Sequence, residues 1–238
     1  MRSIVKISWA GSTPELKLAD SGGYETITLS EGRELNLEVI DERRCVGYHA
    51  SKGNMAPCPE FRKISSGDQC AECRGKDIYT DFRRGNSGEG LEDDYSVYMV
   101  QIGEKLKVGV TRSERLENRW LEQGAVLAAV IEDGLSAGEA LDMEQKISGK
   151  GVSERIRKED KNGFNEELLQ EKLEELGIKS EIRTISEPLK CTKIVRKGRI
   201  PSPIEQVNGQ IISNGKIGLA MTSGRCLTRA RQKGLQDF

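Results

Sequence analysis

Four cysteines within 29 residues, Cys45, Cys58, Cys70 and Cys73, constrain this chain more than any other feature. They sit in a stretch rich in Gly, Pro and Ser, with too little apolar side chain to build a core of its own. Such a segment is held by disulfides or by a metal. The spacing favours metal. Cys70-x-x-Cys73 offers two thiolates from one tight turn, and Cys45 and Cys58 offer a second pair, with Pro57 and Pro59 bracketing Cys58. Four thiolates on a tetrahedron, each sulfur about 2.3 Å from the ion, make a closed structural zinc site whose binding energy is also folding energy. His49, the only histidine, stands four residues after Cys45 and is an alternative ligand. A redox pair is the competing reading of Cys-x-x-Cys. Cys191 and Cys226 stand far off and alone.

The composition of the 238-residue chain, 36% hydrophobic and 5% aromatic against 32% charged, makes for thin cores and several small modules rather than one large one. No apolar run reaches membrane-spanning length, and the start MRSIVKISW lacks the layout of a secretory signal. A soluble, cytoplasmic protein with no membrane partner is expected. The net charge of −1 conceals an asymmetry. Residues 189–238 hold ten Lys and Arg against two Asp and Glu, a net +8, so the rest is acidic. A basic end on an acidic chain points to an anionic partner, with DNA or RNA the leading class. Lys190, Lys193, Arg196, Lys197 and Arg199 form one cluster, and Arg225, Arg229, Arg231 and Lys233 another. On a β-module they are a footprint for phosphates; the alternative is a merely solubilising basic tail.

Periodicity predicts an α+β chain in five segments. Alternation marks strands at 3–9, 25–29 and 35–40 in an N-terminal β segment, 1–42. The cysteine segment, 43–90, reads as small β/zinc-ribbon-like and ends in a Gly-rich linker at 84–90. In a core at 91–150, strands 95–102 and 105–110 flank Gly103-Glu104, a tight-turn pair. Thr111-x-x-Glu114 predicts a capping box opening a helix to Gln123, with Gly124 as its stop. An apolar strand follows at 126–132. Ser136-x-x-Glu139 then opens a helix to about Ser148. A connector, 151–188, carries a helix over 164–176 and a short strand at 181–185. The basic module, 189–238, has strands at 191–195, 207–213 and 216–221, the last two flanking Asn214-Gly215. It reads as a small β-barrel or sandwich that the N-terminal strands complete.

The hairpin phrases Ser96-Val97-Tyr98 and Lys107-Val108-Gly109, followed by a helix bearing Arg119, a strand and a helix bearing Glu144, resemble the GIY-YIG nuclease superfamily over about residues 95–149. That resemblance implies a ββαβα core. It puts Tyr98 beside the scissile phosphate and its water, Arg119 on phosphate charge, and Glu144 on one divalent cation, Mg²⁺ or Mn²⁺. Gly109 takes the place of a glycine that allows close approach. Lys107 stands where the family has its second tyrosine, and Ser96 where it has its first glycine. Beside a phosphate, Lys107 is either a binding cation or, with its pKa lowered by burial, a base. Arg115 and Arg112 are rivals to Arg119. Arg115 and Arg119 share a helix face, where pairing with Glu114 or Glu122 is the alternative. The implied activity is metal-dependent phosphodiester hydrolysis, and the alternative is a module that binds DNA, RNA or tRNA without cutting it. A wider set of phrases, Cys45-x-Gly47, Pro57-Cys58-Pro59, Gln69-Cys70-x-x-Cys73, Lys107-Val-Gly-Val-Thr111 and Arg119-Trp-x-Glu-Gln-Gly-Ala125, resembles an uncharacterised domain family of archaea and bacteria with no established activity.

Overall fold

A computed structural model describes residues 1–80 and 94–230. The stretch at 84–90 read as a linker, and Arg231 and Lys233 of the second basic cluster, lie outside the described residues. The chain is a mixed α+β protein built mostly of strands, with few helices and no closed barrel among the described residues. It opens with the strands β1 (Arg2–Ala10), β2 (Thr13–Ala19), β3 (Tyr24–Thr28) and β4 (Leu37–Arg43). The cysteine segment holds a short hairpin, β5 (Tyr48–Ser51) with β6 (Asn54–Ala56), and the six-residue helix α1 (Ala71–Lys76). Next come β7 (Tyr95–Ile102), β8 (Lys105–Arg112), α2 (Leu116–Gln123), β9 (Leu127–Leu135) and α3 (Ala137–Ser148). A 3₁₀ turn, Lys158–Lys161, and helix α4 (Leu168–Glu175) lead to β10 (Ile182–Thr184) and β11 (Lys193–Val195). The closing strands are β12 (Gly198–Arg199), β13 (Gln206–Asn208), β14 (Ile211–Ser213), β15 (Ile217–Ala220) and β16 (Arg225–Arg229).

Three main sheets result. The first runs β12-β4-β16-β1-β2-β3, so strands from both ends of the chain share it. The second runs β10-β9-β7-β8, and the third β11-β15-β14-β13. Alternation, reset in β1 by an irregularity between Ile4 and Lys6, drives the first: Ile4, Ile7, Leu16 and Leu18 point inward and are fully buried. They meet Ile200, Ile204, Ile212, Leu219 and Leu227 in one core shared between the first and third sheets. Burying apolar surface at about 25 cal/mol per Å² makes this shared core the main force joining the two chain ends. The second sheet is covered on both faces. Val97, Met99 and Val108 pack with α3 and α4, and Tyr98 and Val100 pack with Trp120 of α2.

Local expectations met several corrections. Thr111 and Glu114 form no capping box, because β8 continues through Arg112 with Thr111 paired to Ser96, and α2 starts only at Leu116 after a 3₁₀ turn. The strand expected over 207–213 is broken by a second tight turn at Gly209-Gln210. Thr13–Ala19, Tyr48–Ser51, Asn54–Ala56, Ala71–Lys76 and Arg225–Arg229 were not anticipated as elements. The Ser136–Glu139 capping box, the left-handed Gly124 cap and the Gly103-Glu104 and Asn214-Gly215 turns are present.

Candidate functional site

Two constellations stand out. The first is the cysteine cluster. Cys45 follows β4, Cys58 follows β6, and Cys70 and Cys73 bracket the first turn of α1. All four are buried, none is in a disulfide, and their sulfurs lie within 4.8 Å of one another. Sulfurs 2.3 Å from a tetrahedral ion are about 3.8 Å apart, so this set fits zinc. The backbone N–H of Cys70 also donates to Cys45 Sγ at 3.2 Å, the usual support for a thiolate. Burial pushes the Cys45 thiol up to about 11 and raises Cys73. A divalent cation inverts that preference by deprotonating its thiols outright.

The surrounding motif residues hold the cluster in shape. Gly47 has φ of +92°, and a β-carbon there would lie 2.1 Å from the Ala56 carbonyl oxygen and 2.5 Å from Tyr24 Oη. Gln69 donates to the Gly47 carbonyl at 3.0 Å and to Asp77 Oδ2 at 2.7 Å. His49 is not among the converging ligands. Its Nδ1 faces Asp77 Oδ2 at 3.2 Å and its ring stands edge-on to Tyr79. Desolvation opposes charge on Asp77, but hydrogen bonds from Gln69 and from the His49 and Tyr79 backbone outweigh it and hold the carboxyl at about 2.

The second constellation gathers at the β8 edge of the second sheet. Tyr98 and Gly109 are direct cross-strand partners. The space over Gly109 is filled by the Tyr98 ring, since a β-carbon there would lie 2.5 Å from Tyr98 Oη. Gly109 thus admits a phenol where a ligand was expected. Tyr98 is wholly buried, accepts a 2.7 Å hydrogen bond from Gln123 and packs edge-on against Trp120. Burial raises its pKa, while Arg119 and Gln123 favour the ionised form. Lys107 Nζ donates to the Glu154 carbonyl at 2.5 Å and the Val108 carbonyl at 3.2 Å. Burial lowers its pKa, and Glu144 opposes that shift more than any other charge. Glu144, on α3, is raised by burial and by Glu154, against Lys107, the Val110 N–H and Arg119. Tyr98, Lys107, Arg119 and Glu144 therefore occupy one electrostatic neighbourhood. Their pattern, a carboxyl and a phenol pushed up and an amine pushed down, marks functional clusters more often than ordinary surface.

Sequence reasoning did not single out two members. Gln123 orients Tyr98 and lay within the Arg119–Ala125 phrase. Lys161 donates to the Gln123 carbonyl at 2.7 Å, and burial, then Lys107 and Arg119, brings its pKa down to about 8. Its surroundings in the sequence, Arg157-Lys-Glu-Asp-Lys161, lie in the connector and carry no apolar periodicity.

Arg115 and Arg119 share the buried carboxylate of Glu122, at 3.3 and 3.7 Å, and Lys6 of β1 joins it. Both arginines, with Lys6 and Arg112, line a cleft of about 540 Å³ between the cysteine segment and the second sheet. Arg112 pairs with Glu114 at 2.9 Å. The basic cluster is partly neutralised: Arg196 grips Glu159 at 2.5 and 2.9 Å, and Lys197 pairs with Asp41 at 2.7 Å. Lys193, Arg199 and Arg229 are exposed on strands of two different sheets. No helix among the described residues is long and apolar enough to cross a membrane.

Neither a curated protein nor a solved structure matches the chain. A family model covering residues 32–206 does match, and the chain belongs to that family, described as a protein of unknown function (DUF2797).

Proposed function

We propose that this is a zinc-containing nucleic-acid-binding protein whose second sheet is a GIY-YIG-like, divalent-metal-dependent phosphodiesterase core. The observation carrying the reading is the meeting of Tyr98, Lys107, Arg119 and Glu144, from four separate elements, in one partly buried cluster. The order hairpin, helix, strand, helix over 95–148 supports it too. Phosphodiester hydrolysis needs an oriented nucleophile, a cation on the phosphate and a metal at the developing charge. Arg119 is the half-exposed cation, able to turn from Glu122 to a phosphate. Lys107, its pKa lowered by burial, is the base of this reading. Glu144 is a single well-placed carboxylate, which suits Mg²⁺ or Mn²⁺ because such ions keep waters and take further ligands from substrate phosphates. When bound there, such a cation would supply charge neutralisation for the phosphate, with Glu144 holding it.

One observation favours a second reading, in which the core binds nucleic acid without cutting it. Tyr98 has no exposed surface, and its hydroxyl is already bonded to Gln123. The test is cleavage of labelled branched, single-stranded, duplex and tRNA substrates in Mg²⁺ or Mn²⁺. The wild-type protein is expected to cut at least one class, and Glu144→Gln to lose at least about 100-fold in rate. Salt-sensitive binding with no cutting by the wild type would establish the second reading instead.

A further inference from the structure

We propose a separate phosphate-binding site in the cavity where the 3₁₀ turn Lys158–Lys161 meets the ends of β4, β11 and β16. The cavity holds about 200 Å³ and is lined by Arg43, Arg157, Lys158, Arg196, Thr222 and Arg225, with no carboxylate among its described lining residues. At roughly 30 Å³ per water, that is room for one hydrated phosphate group.

Its cations are held in place by groups behind them. Arg43 Nη1 donates to the Gly67 and Ser223 carbonyls at 2.7 and 3.0 Å. Lys158 Nζ donates to Thr222 Oγ1 at 2.6 Å. Arg225 Nη1 is tied to Asp41 at 2.8 Å, while its buried Nε has no hydrogen-bond partner among the described residues. Arg196 leans on Glu159, and Arg157 is exposed. Burial first, and then the like charges of Lys161, Arg196, Arg225 and Arg43, bring Lys158 down to about 8. Five cations lining a small hole, two of them paired with carboxylates outside it and one with an orphaned donor, are stabilised by an anion of high charge. Guanidinium forks match phosphate oxygens in pairs.

Exposed cations also continue beyond the cavity, with Lys193, Lys197 and Arg199 close to Arg196 along the chain. A run of that kind suits successive phosphates of one strand. Only this choice of a polynucleotide as the phosphate's source rests on the function proposed above.

The test compares Arg157→Gln/Arg196→Gln with a charge-matched control, Lys179→Gln/Lys216→Gln, all four positions being exposed. Binding of a labelled single-stranded oligonucleotide is followed by anisotropy across a salt series. Inorganic phosphate, at about 10 mM, is followed by its effect on melting temperature. The site variant is expected to weaken oligonucleotide binding at least tenfold beyond the control and to flatten the salt slope by about 1.4, two contacts at about 0.7 each. It should also abolish the upward melting shift given by phosphate. Sensitivity of the phosphate arm alone would identify a free phosphate or small ester as the ligand. Equal binding by variant and wild type in both arms, or no binding of either probe by the wild type, would overturn the proposal. The phosphate arm reads this cavity without any cleavage, so failure of the proposed hydrolysis and failure of this site are distinguishable.

Discussion

Two glycines show how single positions hold the sites. Gly47 is required twice over, by its positive φ and by the backbone packed against its α-carbon. Gly47→Ala is expected to destabilise the protein by at least about 2 kcal/mol in urea denaturation and to lower its zinc content. Gly109 is needed for space alone, because the Tyr98 ring lies over it. The hydroxyl of that ring is a buried partner of Gln123, whose Oε1 is already without one among the described residues. Tyr98→Phe should therefore cost about 1–2 kcal/mol by the same measurement, since it orphans a buried donor. No change in stability would mean that Gln123 finds another partner.

At the scale of elements, the readable ones carried their own signals. The β7–β8 hairpin, the α3 cap and the Gly124 stop each follow from two or three adjacent residues. Elements that escaped depend on distant partners. β16 is short and reads in sequence as a basic cluster, yet it pairs with β1 and β4, whose strands lie near the other end of the chain. α1 has six residues, Cys73 the buried one among them, and gains its place from the cysteine cluster rather than from a buried apolar stripe. Much the same holds for the candidate site. Tyr98, Arg119 and Glu144 were legible through an ordered motif, whereas Lys161 arrives from a charge run with no periodicity. Metal dependence should follow the same division. A strong chelator is expected to raise amide exchange across 45–77 well before it does so across β7 and β9, whose hydrogen bonds need no ion.

For the whole molecule, the crowded cations are a cost that the fold carries. Lys158 and Lys161 both have folded pKa values near 8, below the ordinary 10.5. Between these values the unfolded chain binds protons that the folded one has shed, so stability is expected to rise with pH from about 8 to 10.5 and to be lowest below 8. Lys158→Met should flatten that rise and raise stability near pH 7, by up to about 3 kcal/mol from a shift of this size. Retaining such charges against stability is typical of sites kept for a ligand.

The most direct measurement of the central claim is the single-turnover cleavage rate of wild type and Glu144→Gln on one substrate in Mg²⁺, with the dissociation constant of each determined on the same samples. The account predicts a rate loss of at least about 100-fold with binding changed less than about threefold. Equal rates, or a rate loss matched by an equal loss of binding, would contradict it.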